Sequence, residues 1–365
     1  MARLPLKPPV LVLTPDYPPS LGGIQRLSAG FVEHWSRCEP RVVTVGADGD
    51  GGIWRVKPSR IGGRKASIVL LNAAAVSEAW RNPPELVFSV HIVTSPAARA
   101  VRRVTGAPLV QYVHGLELET RPRLASSALR AADAVVANSG FTARIALRKG
   151  ASDAKLHVIA PGVDSLDRPT GARRFECPTI VIVSRMDERY KGHDVLIRAL
   201  PLIRARVPDA RLVVIGDGAL RPAYERLARA VGVEQAIKFV GAIRDSERNL
   251  AVARSHVFAM PSRLASNGGG EGFGIAYLEA GALGVPVVAG NVAGALDAVV
   301  DGVTGLLVDP TDHVAVADAI TALLLDRERA EQMGRAGAER AKQFAWPRIA
   351  GQVEELILSL VRERA

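Results

Sequence analysis

Short apolar runs alternate with longer stretches of helical periodicity along most of the chain. Pro9–Thr14 (P-V-L-V-L-T) is an apolar run that ends in a Pro- and Gly-bearing loop, Asp16–Gly23, and leads into a helix-like stretch from Ile24 to Trp35. That order reads as a strand, a loop and a helix. Arg41–Val45, Leu86–Ser89, Leu109–His114 and Ala134–Ala137 are likewise short enough for buried parallel strands. From Pro178 the pattern restarts, with strands expected at Thr179–Ser184, Arg211–Ile215, Ile237–Val240, His256–Met260, Val285–Val288 and Gly305–Val308, and helices such as Asp194–Ala205 and Arg221–Val231 between them. Leu166–Glu176, rich in Arg, Pro and Gly, separates the two series. The expected fold class is α/β, with two doubly wound Rossmann-like domains, residues 1–170 and 171–347, facing across a ligand-binding cleft. A last helix, Arg348–Arg364 within residues 348–365, follows Trp346-Pro347 and is free to pack on either domain, including back on the first.

Composition narrows this picture. With 365 residues, 48% of them apolar, the chain has material for two medium domains and is not a disordered one. Its two cysteines, Cys38 and Cys177, form neither a disulfide framework nor a metal-ligand spacing, which fits a reducing compartment. Met1–Val10 lacks a long uncharged core, and no run approaches the roughly 18 apolar residues of a membrane span. A cytoplasmic protein is expected, with attachment to the inner face of the membrane left open.

Charge is unevenly placed. The net charge is +10, of which residues 1–170, with 22 Lys and Arg against 13 Asp and Glu, hold +9. Between Asp50 and Glu78 there is no acid, while Arg55, Lys57, Arg60, Arg64 and Lys65 crowd a segment ahead of the apolar run Ile68–Val76. Such a segment suits an anionic membrane surface; a solvated face of an Arg-rich protein accounts for it equally well. Nucleic acid is not an expected partner, since aromatic residues are only 5% and none interleave with the basic segment in a recognition motif.

The candidate chemistry sits where strands run into helices. Gly22 and Gly23 remove side chains ahead of a helix whose free N–H groups suit a phosphate, although an ordinary turn has the same composition. The loop is not G-x-G-x-x-G, so a dinucleotide oxidoreductase loses ground. Ser184–Gly192 carries Arg185 and Lys191, two cations suited to a diphosphate leaving group, or else solvent-facing neighbours of Asp187 and Glu188. Gly216-Asp-Gly218 fits close backbone approach or a tight turn. In G-G-G-E-G-F-G-I-A-Y-L-E, Gly268–Glu279, the amides of Phe273, Gly274 and Ile275 are expected at a helix start. Glu271 and Glu279 are eight positions apart, about 12 Å by helical rise, which spans a sugar and a ribose. Otherwise Glu271 complements a helix dipole and Glu279 is a buried carboxylate that needs a partner.

The segment Glu271–Val288 resembles the E-x7-E element of the retaining glycosyltransferases of family 4, which have the GT-B fold. The likeness runs along the chain, through P-x-x-G-G at Gly22-Gly23, Y-V-H-G at Tyr112–Gly115, N-S-x-F-T at Asn138–Thr142, P-G-V-D at Pro161–Asp164, S-R-M…K-G to Gly192, V-G-A-I at Val240–Ile243 and D-G-V-T-G-L-L-V at Asp301–Val308. The resemblance implies that Arg185 and Lys191 clamp the donor diphosphate, approached by Gly22 or Gly23. Gly216, Phe273, Gly274 and Ile275 would line the donor, Glu271 would hold the transferred sugar, Glu279 the ribose, and Ile243 the base through its backbone. His114 would face the sugar near the reacting carbon. The reaction would retain configuration without a protein nucleophile, and no D-x-D stands in the right region, so no metal or other cofactor is expected.

Two departures matter. Arg185 and Lys191 are six apart where many members have five, and the loop Arg263–Gly270 is extended, resembling that of mannosyltransferases acting on phosphatidylinositol mannosides. With the basic first domain this favours GDP-mannose as donor and a glycan or lipid-linked acceptor at the membrane surface. The alternatives are a UDP-sugar donor with a soluble, antibiotic or polysaccharide acceptor, and a nucleotide-sugar 2-epimerase.

Overall fold

The computed structural model describes residues 7–19, 22–46, 53–57, 63–164 and 168–364. It divides into two compact units, residues 1–162 with 346–365, and residues 163–345.

The first unit is built on a seven-stranded parallel sheet ordered β3-β2-β1-β4-β5-β6-β7. Its strands are β1 (Pro9–Leu13), β2 (Glu39–Val45), β3 (Ile53–Val56), β4 (Leu86–Ser89), β5 (Leu109–Val113), β6 (Ala134–Ala137) and β7 (Leu156–Val158). The runs that are apolar throughout become the inner strands, because helices cover both faces there and no residue can point to water. β3 and β7 escape the sequence reading for the complementary reason: they are edge strands, half-exposed and short, and edges carry no continuous apolar run.

Phe31, on the helix Gly23–His34, packs its ring against Trp35, Phe88, Tyr112 and Trp346. Trp346 opens the last helix, Trp346–Arg364, so that helix belongs to the first unit and begins two residues earlier than expected. It fits because Gly30 and Gly162 have no side chain: a Cβ would lie 2.2 Å and 2.4 Å from the indole.

In the second unit six parallel strands are ordered β10-β9-β8-β11-β12-β13. They are β8 (Thr179–Val183), β9 (Arg211–Ile215), β10 (Ile237–Gly241), β11 (Val257–Met260), β12 (Val287–Gly290) and β13 (Gly305–Val308). The unit begins at Val163, seven residues before the end assigned to the first domain from sequence. The Arg- and Pro-rich stretch from residue 168 is fastened to this unit. Arg174 donates to the carbonyls of Ser255 and Gly284, Phe175 N–H donates to Arg254 O at 2.9 Å, and the Arg254 guanidinium lies 4.4 Å over the Phe175 ring. Burial lowers the Arg174 pKa to about 10.

Strand order locates the site in each sheet. A doubly wound sheet binds ligands beyond the carboxyl ends of its strands where the order reverses. That point lies between β1 and β4 in the first unit and between β8 and β11 in the second.

Candidate active site

At the switch point of the second unit, the loops leaving β8 and β11 interlock. Gly216 (φ +128°) and Gly218 (φ +156°) let the loop after β9 run against the loop after β8, where a Cβ would come 2.1 Å from Ser184 O and 2.5 Å from Met186 C. Met186 N–H then donates to Asp217 O, and Leu220 N–H to Met186 O, both at 2.8 Å. Gly216 is therefore a point of close backbone approach. Gly192 (φ +83°) plays the same part toward the loop after β11, with a Cβ 2.3 Å from Pro261 O. Arg263 completes the lock, donating its N–H to Tyr190 O and its guanidinium fork to Asp194 at 3.0 Å on both arms. Held in this way is a single 3-10 turn, Arg189–Lys191.

Lys191 Nζ meets Glu271 Oε2 at 2.5 Å, with the two side chains 18% and 14% exposed. An ion pair this sheltered is stronger than a surface pair, and removing either partner leaves a poorly solvated charge. Lys191 Nζ also lies 5.0 Å from the Tyr190 ring centre. Burial, with Glu271 adding to it, raises the Tyr190 hydroxyl far above its ordinary range, so it stays a phenol. His193 is buried, faces Ser184 Oγ through Nε2 at 3.3 Å and stacks on Tyr224. Burial, with Lys191 reinforcing it, lowers its pKa to about 4, against the opposing pull of Asp194. The imidazole adds no positive charge at neutral pH. Arg185, on the same loop, is exposed.

The helix carrying Glu279 starts later than its sequence suggests. Gly274, at φ +97°, caps a helix spanning Ile275–Ala282, so Glu271 and Phe273 lie in the preceding loop. The two glutamates consequently do not share one helix, and the 12 Å helical spacing expected for them does not apply. The left-handed Gly274 breaks the helical phase, and a Cβ there would sit 2.3 Å from the Tyr277 ring. Tyr277 is buried and donates its hydroxyl to Met260 O at 2.7 Å, tying the helix to the end of β11. Glu271 is anchored through its backbone, its carbonyl accepting Gly294 N–H at 2.9 Å. Glu279 Oε1 is 3.5 Å from Arg248 Nη2 on the helix Asp245–Arg254, and Arg248 also meets Asp245 at 3.2 Å. Ile243 is half-buried just after β10.

In the first unit, Gly22 (φ +155°) caps the helix that Gly23 begins, and the space over Gly23 is open, with nothing within 4 Å of where a Cβ would stand. His114 follows β5. Its N–H donates to Glu117 Oε1 at 2.6 Å, across a turn that requires Gly115 at φ +105°, and its Nε2 contacts Val90 O at 2.8 Å.

The basic segment is not one free patch. Arg55, on β3, is half-buried and turns inward to lie 5.7 Å from the Tyr17 ring centre. That correction follows from the strand the sequence did not reveal. Burial, with Glu33 adding to it, raises the Tyr17 hydroxyl to about 12 even though Arg55 opposes this. Arg64 is 76% exposed but pairs with Asp16 at 2.5 Å. Lys57 and Lys65 are exposed, and Arg60 lies outside the described residues. The apolar run behind them forms the helix Gly63–Arg81, on which Val69 and Trp80 are 67% and 80% exposed.

The structure thus joins Lys191 to Glu271 and brings Glu279 to a residue that sequence reasoning missed. Arg248 stands 31 positions before Glu279, and nothing short of the packing of two helices pairs them. Asp194, Arg263 and Glu117 were missed for the same reason. The Asp194 carboxylate directly follows the K-G-H segment, which was the only local signal. Among the described residues, no group of three or more His, Cys, Asp or Glu side chains is placed to hold a metal ion.

Family models match both halves of the chain. Residues 10–165 match the family described as Glycosyltransferase Family 4, and residues 168–340 the family described as Glycosyl transferases group 1. The chain is 35% identical to the GDP-mannose-dependent alpha-(1-6)-phosphatidylinositol monomannoside mannosyltransferase of Mycobacterium tuberculosis, over 95% of this chain and 97% of that protein. It is 35% identical to the protein of the same name from Mycolicibacterium smegmatis, over 95% and 98%. Among solved structures it resembles the sucrose-phosphate synthase of Thermosynechococcus elongatus (TM-score 0.82, 22% identity, 98% and 100% covered) and Anabaena HepE in complex with UDP and glucose (0.79, 21%, 96% and 99%).

Proposed function

Because the chain belongs to glycosyltransferase family 4, we propose that it transfers mannose from GDP-mannose to a phosphatidylinositol-mannoside-type lipid at a membrane surface. The observation that carries this reading is the near end-to-end likeness, at 35% identity, to proteins named for that reaction. In the second unit, Arg185 and Lys191 take the diphosphate, Glu271 the hydroxyls of the mannose, Glu279 the ribose, and the backbone near Ile243 the base. The bond from the anomeric carbon to phosphate breaks and a bond from that carbon to an acceptor oxygen forms on the same face. The acceptor's proton goes to the departing diphosphate. The charges of Arg185 and Lys191 offset the charge that builds on the leaving group, so no divalent ion is needed.

The test is transfer of radiolabelled mannose from GDP-mannose to phosphatidylinositol mannoside in mixed micelles, with EDTA present, beside a thermal-shift panel of GDP-, UDP-, ADP- and dTDP-sugars. The expected result is a lipid product insensitive to the chelator and the largest stabilisation by GDP-mannose, since a ligand of the native state raises its melting temperature. A larger shift with a UDP-sugar would reassign the donor. A new sugar nucleotide formed without acceptor would favour the epimerase.

The membrane contact is proposed on the helix Gly63–Arg81. No helix among the described residues is long and apolar enough to span a bilayer. Val69, Ala73, Val76 and Trp80 recur at the spacing of one helix face, and Val69, Ala73 and Trp80 are exposed. Leu70 is exposed beside them, and Arg64 and Lys65 stand at the start of the same helix. An apolar face flanked by cations fits the surface of an anionic bilayer, into which Trp80 would insert. Replacing Val69, Leu70 and Trp80 by serine is expected to abolish co-sedimentation with vesicles of phosphatidylglycerol while leaving thermal stability unchanged. Undiminished sedimentation would rule this face out.

A further inference from the structure

We propose that Tyr190 is a positioning residue of the donor site, its ring face keeping the Lys191 ammonium aimed at the donor diphosphate while Glu271 turns to the sugar. The inference rests on the glycosyltransferase reading above, in which Lys191 takes the diphosphate and Glu271 the mannose. Tyr190 and Lys191 are neighbours on the 3-10 turn Arg189–Lys191, and Lys191 Nζ lies over the Tyr190 ring, 5.0 Å from its centre. That is within the roughly 6 Å at which the negative face of an aromatic ring attracts an ammonium. The lysine side chain is 18% exposed, so water screens the attraction only in part.

The turn is fixed through its backbone. Tyr190 O accepts the N–H of Arg263 at 2.8 Å, and Arg263 is itself anchored on Asp194 at 3.0 Å. Beyond Lys191, Gly192 closes the turn with its N–H to Arg189 O at 3.3 Å. The ring can therefore be altered without undoing the turn that carries it.

The ring supplies what the carboxylate does not. An ammonium has three N–H donors and no acceptor. Glu271, at 2.5 Å, takes one of those donors and offsets the charge. On donor binding that carboxylate also serves the mannose hydroxyls, so the pair loosens when the lysine is needed at the diphosphate. A ring face carries no net charge and gives nothing to the sugar. It attracts the ammonium through its quadrupole, leaves the full positive charge for the leaving group and keeps the same partner throughout. The hydroxyl is not the working group. Burial, with Glu271 and Glu188 adding to it, holds its pKa far above the ordinary range, so the lysine meets a neutral phenol and not a phenolate.

The test grades the ring face while holding its size. Position 190 is filled with phenylalanine and then with mono-, di- and trifluorophenylalanine, in which fluorine withdraws electron density from the face step by step with little change of volume. With GDP-mannose and phosphatidylinositol mannoside in micelles as probes, kcat is expected to fall at each step, by about tenfold from phenylalanine to the trifluoro variant, the size of one sheltered cation–π contact. The donor's KM and the melting temperature should move little. Tyr190→Leu should lose about tenfold in kcat, and Y190F should recover most of that loss. In a Lys191→Ala background the fluorine series should be flat, because the interaction has lost its cation. A flat series with Lys191 present, or the same slope without it, would overturn the proposal, as would a Y190F enzyme no better than Y190L. Any of those results beside an impaired K191A would leave the functional reading standing. A parent that transfers nothing from GDP-mannose, or K191A at the parental rate, would overturn that reading and the proposal with it.

Discussion

Lys191→Ala is expected to lower mannose transfer by roughly two to three orders of magnitude, the usual loss when a preorganised group facing a developing charge is removed. The size follows from where the cation sits. Its side chain is 18% exposed, on a turn locked by Gly192 against Pro261 and by Arg263 against Tyr190 and Asp194, so its charge is aimed and only partly screened. Arg185, exposed on the same loop, should show a smaller effect when replaced. The carboxylate partner adds a second strand of argument. With Lys191 gone, Glu271 keeps a sheltered charge without its counterion, and its hold on the sugar is disturbed as well. If the two residues work as one unit, K191A combined with Glu271→Ala should be scarcely worse than either change alone, because effects within one network do not add. Steady-state kinetics for GDP-mannose and calorimetric binding of GDP separate the two contributions. Glu271→Ala should retain much of the GDP affinity, whereas Glu279→Ala should lose it. Parent-like turnover in K191A would falsify the assignment.

How much of this was legible beforehand follows from the range of each interaction. The inner strands were legible because burial on both faces forces unbroken apolar runs, as at Pro9–Leu13 and Thr179–Val183. The edges were not, and the hidden strand Ile53–Val56 is what turns Arg55 away from solvent and toward Tyr17. Glu271, Glu279, Arg185 and Lys191 were legible as residue types standing at strand ends. Their pairings were not, since Lys191 and Glu271 are 80 positions apart and meet only because β8 and β11 are neighbours in the sheet. Gly274 shows a subtler limit. The segment after Glu271 reads as the start of a helix near Phe273, yet a single left-handed glycine moves that start to Ile275, so the positions between Glu271 and Glu279 are not all helical.

The same long-range logic gives the largest expected loss of stability, on Glu354→Ala. Glu354 is 2% exposed on the last helix, and its carboxylate accepts the N–H groups of Arg37 at 2.5 Å and Cys38 at 3.0 Å, with Arg37 Nε at 3.3 Å. It thereby fastens residues 346–364 to the turn that follows the first helix of the chain. Alanine would leave the N–H groups of Arg37 and Cys38 without an acceptor, at about 1–3 kcal/mol each and so about 2–6 kcal/mol together, whereas the Arg37 guanidinium, 44% exposed and still paired with Glu355 at 2.8 Å, loses little. Against a typical domain stability of about 5–15 kcal/mol that is a large fraction. For a unit of this size it corresponds to a melting temperature lower by roughly 4–24 °C. Glu354→Gln should fall between, since one carbonyl oxygen can still take both backbone N–H groups while the amide nitrogen faces the Arg37 donor. Cys38 reports on the mechanism. It is buried, and burial, with Glu354 adding to it, raises its thiol to about 12, so in the parent it should resist thiol reagents. In a Cys177→Ser background, E354A should label at Cys38 at temperatures where the parent does not, because the last helix detaches before the sheet unfolds. A parent-like melting curve together with an unreactive Cys38 would show that the aromatic contacts of Trp346 hold the helix without the carboxylate.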